Sequence, residues 1–217
     1  MKLTNEHVSI IGKTRSGKSV FGLHLLQKYY DAGWKIVIID IADTWSHFAT
    51  VKEQSTIEKP HLYAGSLSRT RSRAVEYYVP SGMHDPVLAS LYIQALRERN
   101  IVLYHDEIVG IASASAPIPE MDRVLSQGRK KYCIGIFCSQ RPKNIPRMIL
   151  TQSQYICCFS LTDAEDIDVM SKRLHSKLSP DSWEVPHSYY EYDEAHMKHA
   201  RYHAPLPESE KRRVEVL

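Results

Sequence analysis

Residues 12–19 combine the residue types and the spacing of a phosphate-binding loop. They read Gly12, Lys13, Thr14, Arg15, Ser16, Gly17, Lys18 and Ser19. Every fixed position of the Walker A pattern GxxxxGK[ST] is matched. In such a loop, glycines let successive backbone N–H groups turn toward phosphate oxygens, and the following helix adds the positive end of its dipole. We expect Lys18 to reach the β- and γ-phosphates of ATP and the Ser19 hydroxyl to ligate Mg²⁺.

Two adjacent carboxylates, Asp106 and Glu107, follow the apolar run at 101–105, as in a Walker B motif. Because ligands of open α/β sheets bind at the carboxyl ends of the strands, we expect both acids beside the phosphate loop. Asp106 would hold Mg²⁺ through a water molecule, and Glu107 would orient and deprotonate the water that attacks the γ-phosphate. His105, in the same run, is interpreted as a buried core histidine. The acidic pair favours hydrolysis over transfer to another acceptor.

A second apolar run ends in Ser139, Gln140, Arg141 and Pro142. The amide of Gln140 would lie beside the γ-phosphate, where it can hydrogen-bond a phosphate oxygen or the attacking water. Any strand can end in Ser-Gln, so the signal is weak alone. It becomes specific because it lies one predicted helix after Asp106 and Glu107.

The elements that must position these groups alternate between strand and helix, which predicts a mostly parallel sheet covered by helices on both faces. Strands are predicted at 8–11, 35–40, 75–79, 101–105, 132–139 and 155–161, and helices at 18–31, 84–99, 119–131, 146–152 and 164–174. Residues 41–60 are predicted to be irregular or weakly helical. The Tyr- and His-rich segment 188–203 is expected to form a hairpin at the sheet edge. The prediction is a RecA-like P-loop NTPase fold in a single domain, 1–204, followed by a charged tail, 205–217.

The composition excludes few classes of protein. The 217 residues are 43% hydrophobic and 24% charged, with a formal net charge of +3. This mild basic bias permits a nucleic-acid partner without requiring one. The four cysteines lie in apolar runs without zinc-binding spacing, which is typical of buried, reduced thiols in an intracellular protein. We expect a chain that is neither secreted nor membrane-spanning.

Together these segments resemble the HerA/FtsK superfamily of DNA-pumping ATPases. The loop GKTRSGKS is similar to the family's G-x-TGSGKS, and the strand ending at Asp40 looks like the family's second strand. The sequence SQRP at 139–142 resembles the family's SQRP or TQRP, and Arg129 resembles an arginine at the family's preceding helix end. Arg15 departs from the family pattern, which has a small glycine at that position.

The resemblance implies a homo-oligomeric ring, a hexamer or pentamer, in which each ATP lies between neighbouring subunits. An arginine from the next subunit would then stabilise charge at the γ-phosphate. Arg129 is the first candidate and Arg123 the second. The alternative for either is a cation favoured by the dipole at a helix C-terminus.

We expect the chain to have neither the N-terminal barrel of the archaeal helicases nor the membrane segments and winged helix of the bacterial chromosome pumps. It therefore looks like the genome-packaging ATPases of tailless, internal-membrane icosahedral viruses. This resemblance implies a motor that pumps double-stranded DNA into a preformed capsid in the host cytoplasm. It also implies docking on a capsid or membrane vertex protein.

A translocase must hold DNA phosphates regardless of base sequence. Arg69, Arg71 and Arg73 are candidate contacts, because they lie in a Ser/Arg-rich stretch that is predicted to be a loop. The alternative is a solvated surface loop. The basic residues at 211–213, in the tail, are interpreted as solvated.

Two other functions remain open at this point. One is a small-molecule phosphotransferase on the same phosphate loop, although Glu107 and Gln140 argue against it. The other is a non-DNA motor for viral assembly or export. Free phosphate as the product would exclude the first, and stimulation of hydrolysis by DNA would exclude the second.

Overall fold

The computed structural model of the chain describes residues 4–43, 61–63, 67, 74–83 and 85–207. Its strands are β1 (Val8–Ile11), β2 (Lys35–Ile39), β3 (His61–Leu62), β4 (Val75–Tyr78), β5 (Ile101–His105), β6 (Cys133–Ser139), β7 (Tyr155–Phe159), β8 (Tyr189–Asp193) and β9 (Arg201–His203). Its helices are α1 (Lys18–Asp31), α2 (Pro86–Ala95), α3 (Pro119–Gln127), α4 (Arg147–Gln152) and α5 (Ala164–Arg173). The strands form one sheet in the order β3-β4-β2-β5-β6-β1-β7-β8-β9.

The seven strands from β3 to β7 in this order run parallel, whereas β8 is antiparallel to both β7 and β9. The predicted parallel sheet with an antiparallel hairpin at its edge is therefore confirmed. Strand β1 lies between β6 and β7, with Ile11 opposite Ser139 on one side and Cys158 on the other. Since parallel strands end at a common edge, β1, β5 and β6 bring the three predicted motifs to the same place.

Helices cover both faces of the sheet. On one face, residues such as Val37 and Leu103 pack with the apolar sides of α2, α3, α4 and α5. On the other, residues such as Ile36 and Val102 pack against α1. Strands β1, β2, β5 and β6 are buried along their whole length. Near-continuous runs of β-branched and aliphatic residues are expected for strands buried on both sides.

Two helices are shorter than predicted, for local reasons. Helix α2 begins at Pro86, where the Asp85 side chain accepts a hydrogen bond from the Val87 N–H at 2.8 Å. Helix α3 ends at Gln127 and continues as a 3₁₀ turn over Gly128–Lys131. The chain then reverses into β6 through Tyr132, which takes a left-handed conformation with φ of 56°. The irregular stretch predicted at 41–60 lies outside the described residues from position 44 onward.

The four cysteines are buried free thiols. Burial raises the pKa of Cys133 to about 12, which suppresses its thiolate form at neutral pH. None of the helices in the described ranges combines the length and the apolar character that a bilayer-spanning segment requires.

Candidate active site

The phosphate loop is fixed to the strands on both sides of β1. The Gly12 N–H donates to the Ser139 carbonyl at 3.1 Å, and the Lys13 N–H donates to the Ser160 carbonyl at 2.8 Å. A Cβ atom at Gly12 would lie 2.6 Å from the Cβ of Phe159. Only glycine therefore allows this close approach between the loop and β7.

Arg15 lies in the loop with φ of 61° and an exposed side chain. The left-handed region costs an L-residue with a Cβ atom roughly 1–2 kcal/mol. A glycine adopts this conformation without that cost, which explains physically why the family pattern has glycine here. The exposed guanidinium adds a cation at the rim of the loop.

Lys18 begins α1 and turns back into the loop that precedes it. Its ammonium donates to the Lys13 carbonyl at 2.9 Å, and the residue is only 8% exposed. Burial lowers the pKa of Lys18, and nearby Cys138, Glu107 and Asp106 oppose that effect. The ammonium is therefore held within the electrostatic reach of both Walker B carboxylates.

Asp106 is oriented by a buried tyrosine. The Tyr104 hydroxyl donates to Oδ1 of Asp106 at 3.1 Å and accepts from the Cys138 thiol at 3.3 Å. Tyr104 is fully buried, and a Cβ atom at Gly22 of α1 would lie only 2.6 Å from its hydroxyl oxygen. Gly22 therefore leaves the slot through which Tyr104 reaches the carboxylate.

Glu107 accepts backbone hydrogen bonds at both of its carboxylate oxygens. The Val109 N–H lies 3.5 Å from Oε1, and the Gln140 N–H lies 3.2 Å from Oε2. Burial raises the pKa of Glu107 above its ordinary value, while hydrogen bonds from these groups and from Ser139, together with the charge of Lys18, act in the opposite direction. A carboxylate with a raised pKa is a stronger base toward a bound water.

Gln140 connects the phosphate loop with Glu107. Its side-chain oxygen accepts a hydrogen bond from the Thr14 hydroxyl at 2.5 Å, while its backbone N–H donates to Glu107. The side chain is exposed. The three motifs singled out in the sequence thus meet in one hydrogen-bonded chain at the carboxyl edge of the sheet.

Arg141, the next residue, fastens this edge to α5. Its guanidinium forms ion pairs with Asp163 at 3.0 Å and with Asp166 at 2.7 Å. Asp166 is 1% exposed, and Asp163 caps α5 by accepting from the Glu165 and Asp166 N–H groups. The chain segment that carries Gln140 is therefore tied to the first turn of α5.

His105 is a core residue. Its ring stacks on Phe137 at 4.6 Å between centroids, and its Nε2 lies 2.9 Å from the Tyr92 hydroxyl. Burial lowers the pKa of His105 to about 4. The ring is therefore neutral at physiological pH, and it packs among core side chains.

Arg129 does not join the site of its own chain. It lies in the turn that precedes β6, at the opposite end of that strand from Gln140, and forms an ion pair with Glu6 at 2.8 Å. Arg123 is exposed on α3. A role for either arginine in a neighbouring subunit stays a prediction. The proposed DNA contacts at Arg69, Arg71 and Arg73 lie outside the described residues.

The oxygen donors fit a magnesium ion. The Ser19 hydroxyl and the Asp106 carboxylate are hard ligands of the kind that Mg²⁺ prefers. Ser19 follows Lys18 in the chain, and the charge of Asp106 acts on the Lys18 ammonium. Among the described residues no group of three or more His, Cys, Asp or Glu side chains could hold a metal ion alone. Such a donor set would suit a Mg²⁺ ion shared between one or two protein oxygens and a phosphate chain.

An apolar pocket adjoins the phosphate loop and was missed in the sequence. Its volume is about 100 Å³, it opens to solvent, and it is lined by Gly17, Val20, Phe21, Phe159, His187, Tyr189 and Leu206. These residues come from the loop, α1, β7, the β7–β8 connection, β8 and the segment after β9. The Tyr- and His-rich composition of 188–203 was the only sequence signal for it.

The fold is shared with several solved structures. One is the genome-packaging NTPase B204 from Sulfolobus turreted icosahedral virus 2 in complex with AMPPCP, at a TM-score of 0.71 and 18% identity, over 94% of this chain and 100% of that one. Another is the conjugation coupling protein TcpA of pCW3 with ATPγS, at a TM-score of 0.63 and 14% identity, over 92% and 59% of the two chains. A third is a structure of ATPases 2 and 3 of EssC from Geobacillus thermodenitrificans, at a TM-score of 0.61 and 11% identity, over 96% of this chain and 43% of that one.

No protein-family model matches the sequence. No curated protein matches it either. The likeness to solved structures therefore rests on the arrangement of the sheet and helices. It confirms the predicted fold, which this chain shares with these ATPases.

Proposed function

We propose that this chain hydrolyses ATP and uses the energy to move double-stranded DNA, as a viral genome-packaging motor. The observation that carries the hydrolytic part is the hydrogen-bonded chain from Thr14 through Gln140 to Glu107. It unites the phosphate loop, a polar amide and a carboxylate with a raised pKa at one point. These are the groups that water-mediated cleavage of a γ-phosphate requires.

Binding of the triphosphate is assigned to the loop and to the start of α1. Backbone N–H groups of residues 12–19 would face the phosphates, and the Lys18 ammonium would exchange its bond with the Lys13 carbonyl for phosphate oxygens. Ser19 and Asp106 would hold Mg²⁺, which supplies positive charge to the β- and γ-phosphate oxygens when it is bound.

Glu107 would act as the base. As the water oxygen bonds to the γ-phosphorus, the bond to the β–γ bridging oxygen breaks, and ADP leaves with that oxygen. The water proton passes to the Glu107 carboxylate, whose neighbouring N–H donors keep it oriented. Gln140 would bond the γ-phosphate or the water in place of Thr14. Loss of the phosphate would then be relayed through Arg141 to α5.

The coupling to DNA is inferred from the similar structures. Two of the similar structures are described as a genome-packaging NTPase and a conjugation coupling protein. By analogy, the chain would work as a ring, a hexamer or pentamer, in the host cytoplasm and docked on a capsid or membrane vertex protein. Arg129 would serve the neighbouring site, and Arg69, Arg71 and Arg73 would hold DNA phosphates without sequence preference.

The proposal is tested by measuring release of inorganic phosphate from ATP with and without double-stranded DNA. We expect free phosphate as the product and a faster rate with DNA, and the Glu107→Gln protein, purified in parallel, controls for contaminating ATPases. Phosphate release that DNA does not change would favour a non-DNA motor. Transfer of phosphate to a small acceptor, without free phosphate, would refute the hydrolytic assignment.

A further inference from the structure

The two strands that end at the hydrolytic residues begin at a cationic edge of the sheet. Arg97 and Arg99 lie in the turn between α2 and β5, and Lys130 and Lys131 lie in the turn between α3 and β6. We propose that these two turns, the basic edge, bind the phosphate backbone of double-stranded DNA. The inference rests on the proposed function of moving DNA, and it names a contact surface for that DNA.

Backbone hydrogen bonds hold the two turns side by side. Strands β5 and β6 are parallel neighbours, and Ile101 lies opposite Cys133 where they begin. The Ile101 N–H donates to the Tyr132 carbonyl at 3.0 Å, so the last residue of one turn is bonded to the first residue after the other. Because neighbouring strands lie about 4.8 Å apart, the four cationic side chains emerge from one short stretch of the sheet edge.

The positive charge of the basic edge is not compensated. All four cations are exposed, and within the described ranges none of them forms an ion pair. Two acids adjoin the turns, and both are already paired: Glu98 with Lys35 at 3.1 Å, and Glu6 with Arg129 at 2.8 Å. The net charge of the whole chain is only +3, so four unpaired cations on one edge are a concentrated positive field. Such a field attracts a polyanion.

Tyr132 adds a polar aromatic side chain to the basic edge. It is 45% exposed, and its ring lies edge-on against Trp34 with the centroids 6.5 Å apart. Among the described residues of the two turns it is the one exposed large hydrophobic side chain, so the edge does not suit an apolar partner. Arginine, lysine and tyrosine side chains all contact DNA phosphates, and such contacts hold the duplex without reading its sequence.

The basic edge is separate from the ATP site. Strand β5 runs from this edge to Asp106 and Glu107, and its five residues span roughly 16 Å. Strand β6 runs from the same edge toward Gln140. Both strands are buried along their whole length. Substitutions of the exposed cations should therefore leave the ATPase activity without DNA unchanged.

The test measures the affinity for a double-stranded DNA of mixed sequence over a series of salt concentrations, without nucleotide. One double variant carries Arg97→Gln and Arg99→Gln, and another carries Lys130→Gln and Lys131→Gln. Each phosphate contact adds roughly 0.9 to the magnitude of the slope of log affinity against log salt. We expect each double variant to lower that magnitude by up to about 1.8, since two contacts are lost.

The matched control is the double variant Lys177→Gln and Lys198→Gln. It removes two exposed lysines from the segments that flank β8, away from the basic edge. All three double variants lower the net charge by two, from +3 to +1. The control should therefore keep the wild-type slope, and equal flattening in all three variants would overturn the inference.

The other outcomes separate the basic edge from the motor. If the wild-type protein binds DNA and both edge variants keep its slope, the inference is overturned and the proposed motor stands. If the edge variants flatten the slope but DNA does not change phosphate release, the site stands and the motor is refuted. Sedimentation of the same proteins checks for a different occupant. Edge variants that lose self-association and keep the slope would show a contact between copies of this chain, which also overturns the inference.

Discussion

The hydroxyl of Tyr104, in β5, donates a hydrogen bond to Oδ1 of Asp106, which directly follows the strand. Burial raises the pKa of Tyr104 well above 10, so the hydroxyl keeps its proton at any physiological pH. It therefore fixes one oxygen of the carboxylate that would hold Mg²⁺. Tyr104 itself is too deeply buried to touch a nucleotide, and it acts as a positioning residue.

Tyr104→Phe keeps the ring and removes this donor. We expect the Mg²⁺ concentration for half-maximal ATPase to rise by about 10- to 100-fold, as is usual when a partner of a metal ligand is lost. Nucleotide binding without Mg²⁺ should be unchanged. Tyr92→Phe is the matched control, since it removes another buried hydroxyl, one that bonds His105 instead of a site carboxylate. An unchanged Mg²⁺ requirement in Tyr104→Phe would show that the hydrogen bond is only structural.

Glu107→Gln should retain nucleotide binding and lose turnover by roughly 10²- to 10⁴-fold, because it removes the base and keeps the shape of the side chain. Lys18→Ala should instead weaken binding of ATP itself. Phosphate release and equilibrium binding, measured on both proteins, separate the two roles. Hydrolysis at the normal rate by Glu107→Gln would mean that another group deprotonates the water.

The protonation of Glu107 gives a prediction about pH. Its pKa lies above the ordinary 4.5 because of burial, so the carboxyl takes up its proton at a higher pH than an exposed glutamate. The protonated form cannot accept a proton from water, and ATPase activity should therefore fall on acidification before exposed glutamates titrate. Carbon-13 spectra of the labelled glutamates, with Glu107→Gln to assign the resonance, would report its midpoint. A midpoint at or below 4.5 would contradict the burial argument.

The sequence predicted the parts of the site that lie within single segments. Strand β1, helix α1 and strand β5 have the predicted bounds, because the phosphate loop and the acidic pair mark their ends. It could not predict that Tyr104 reaches Asp106, since this requires the slot left by Gly22 on a different element. The apolar pocket likewise depends on how the C-terminal hairpin folds against α1. Such contacts arise from packing between segments that are distant in the sequence, and hydrophobic periodicity does not predict them.

If Arg129 acts on the ATP site of a neighbouring subunit, mixing two inactive variants should recover ATPase activity. Arg129→Ala and Glu107→Gln should each be inactive alone. A mixture forms some interfaces that pair an intact Glu107 with an intact Arg129, and these should hydrolyse ATP. Arg129 must first leave Glu6, so Glu6→Gln should not abolish activity. Absence of recovery in mixtures shown to co-assemble would count against Arg129, and the same experiment on Arg123 would then follow.

The last prediction concerns the three arginines at 69, 71 and 73. The wild-type protein should bind double-stranded DNA without sequence preference and more weakly as salt rises, because each neutralised phosphate releases counterions. Each phosphate contact adds roughly 0.9 to the magnitude of the slope of log affinity against log salt. Replacing Arg69, Arg71 and Arg73 by alanine should therefore flatten the slope and remove stimulation by DNA. ATPase activity without DNA should persist, since these residues belong to none of the three catalytic motifs.

The matched control removes the same number of charges from the tail, by replacing Lys211, Arg212 and Arg213 with alanine. Both triple variants change the net charge from +3 to 0, so a difference between them cannot come from overall charge. We expect the tail variant to keep the wild-type slope. Equal flattening of the slope in both variants would mean that net charge alone governs DNA binding. An unchanged slope in the variant of Arg69, Arg71 and Arg73 would mean that these arginines are solvated and do not contact DNA. If the wild-type protein shows no salt-dependent affinity for DNA in any oligomeric state, the translocase function fails and a motor acting on another cargo becomes the better account.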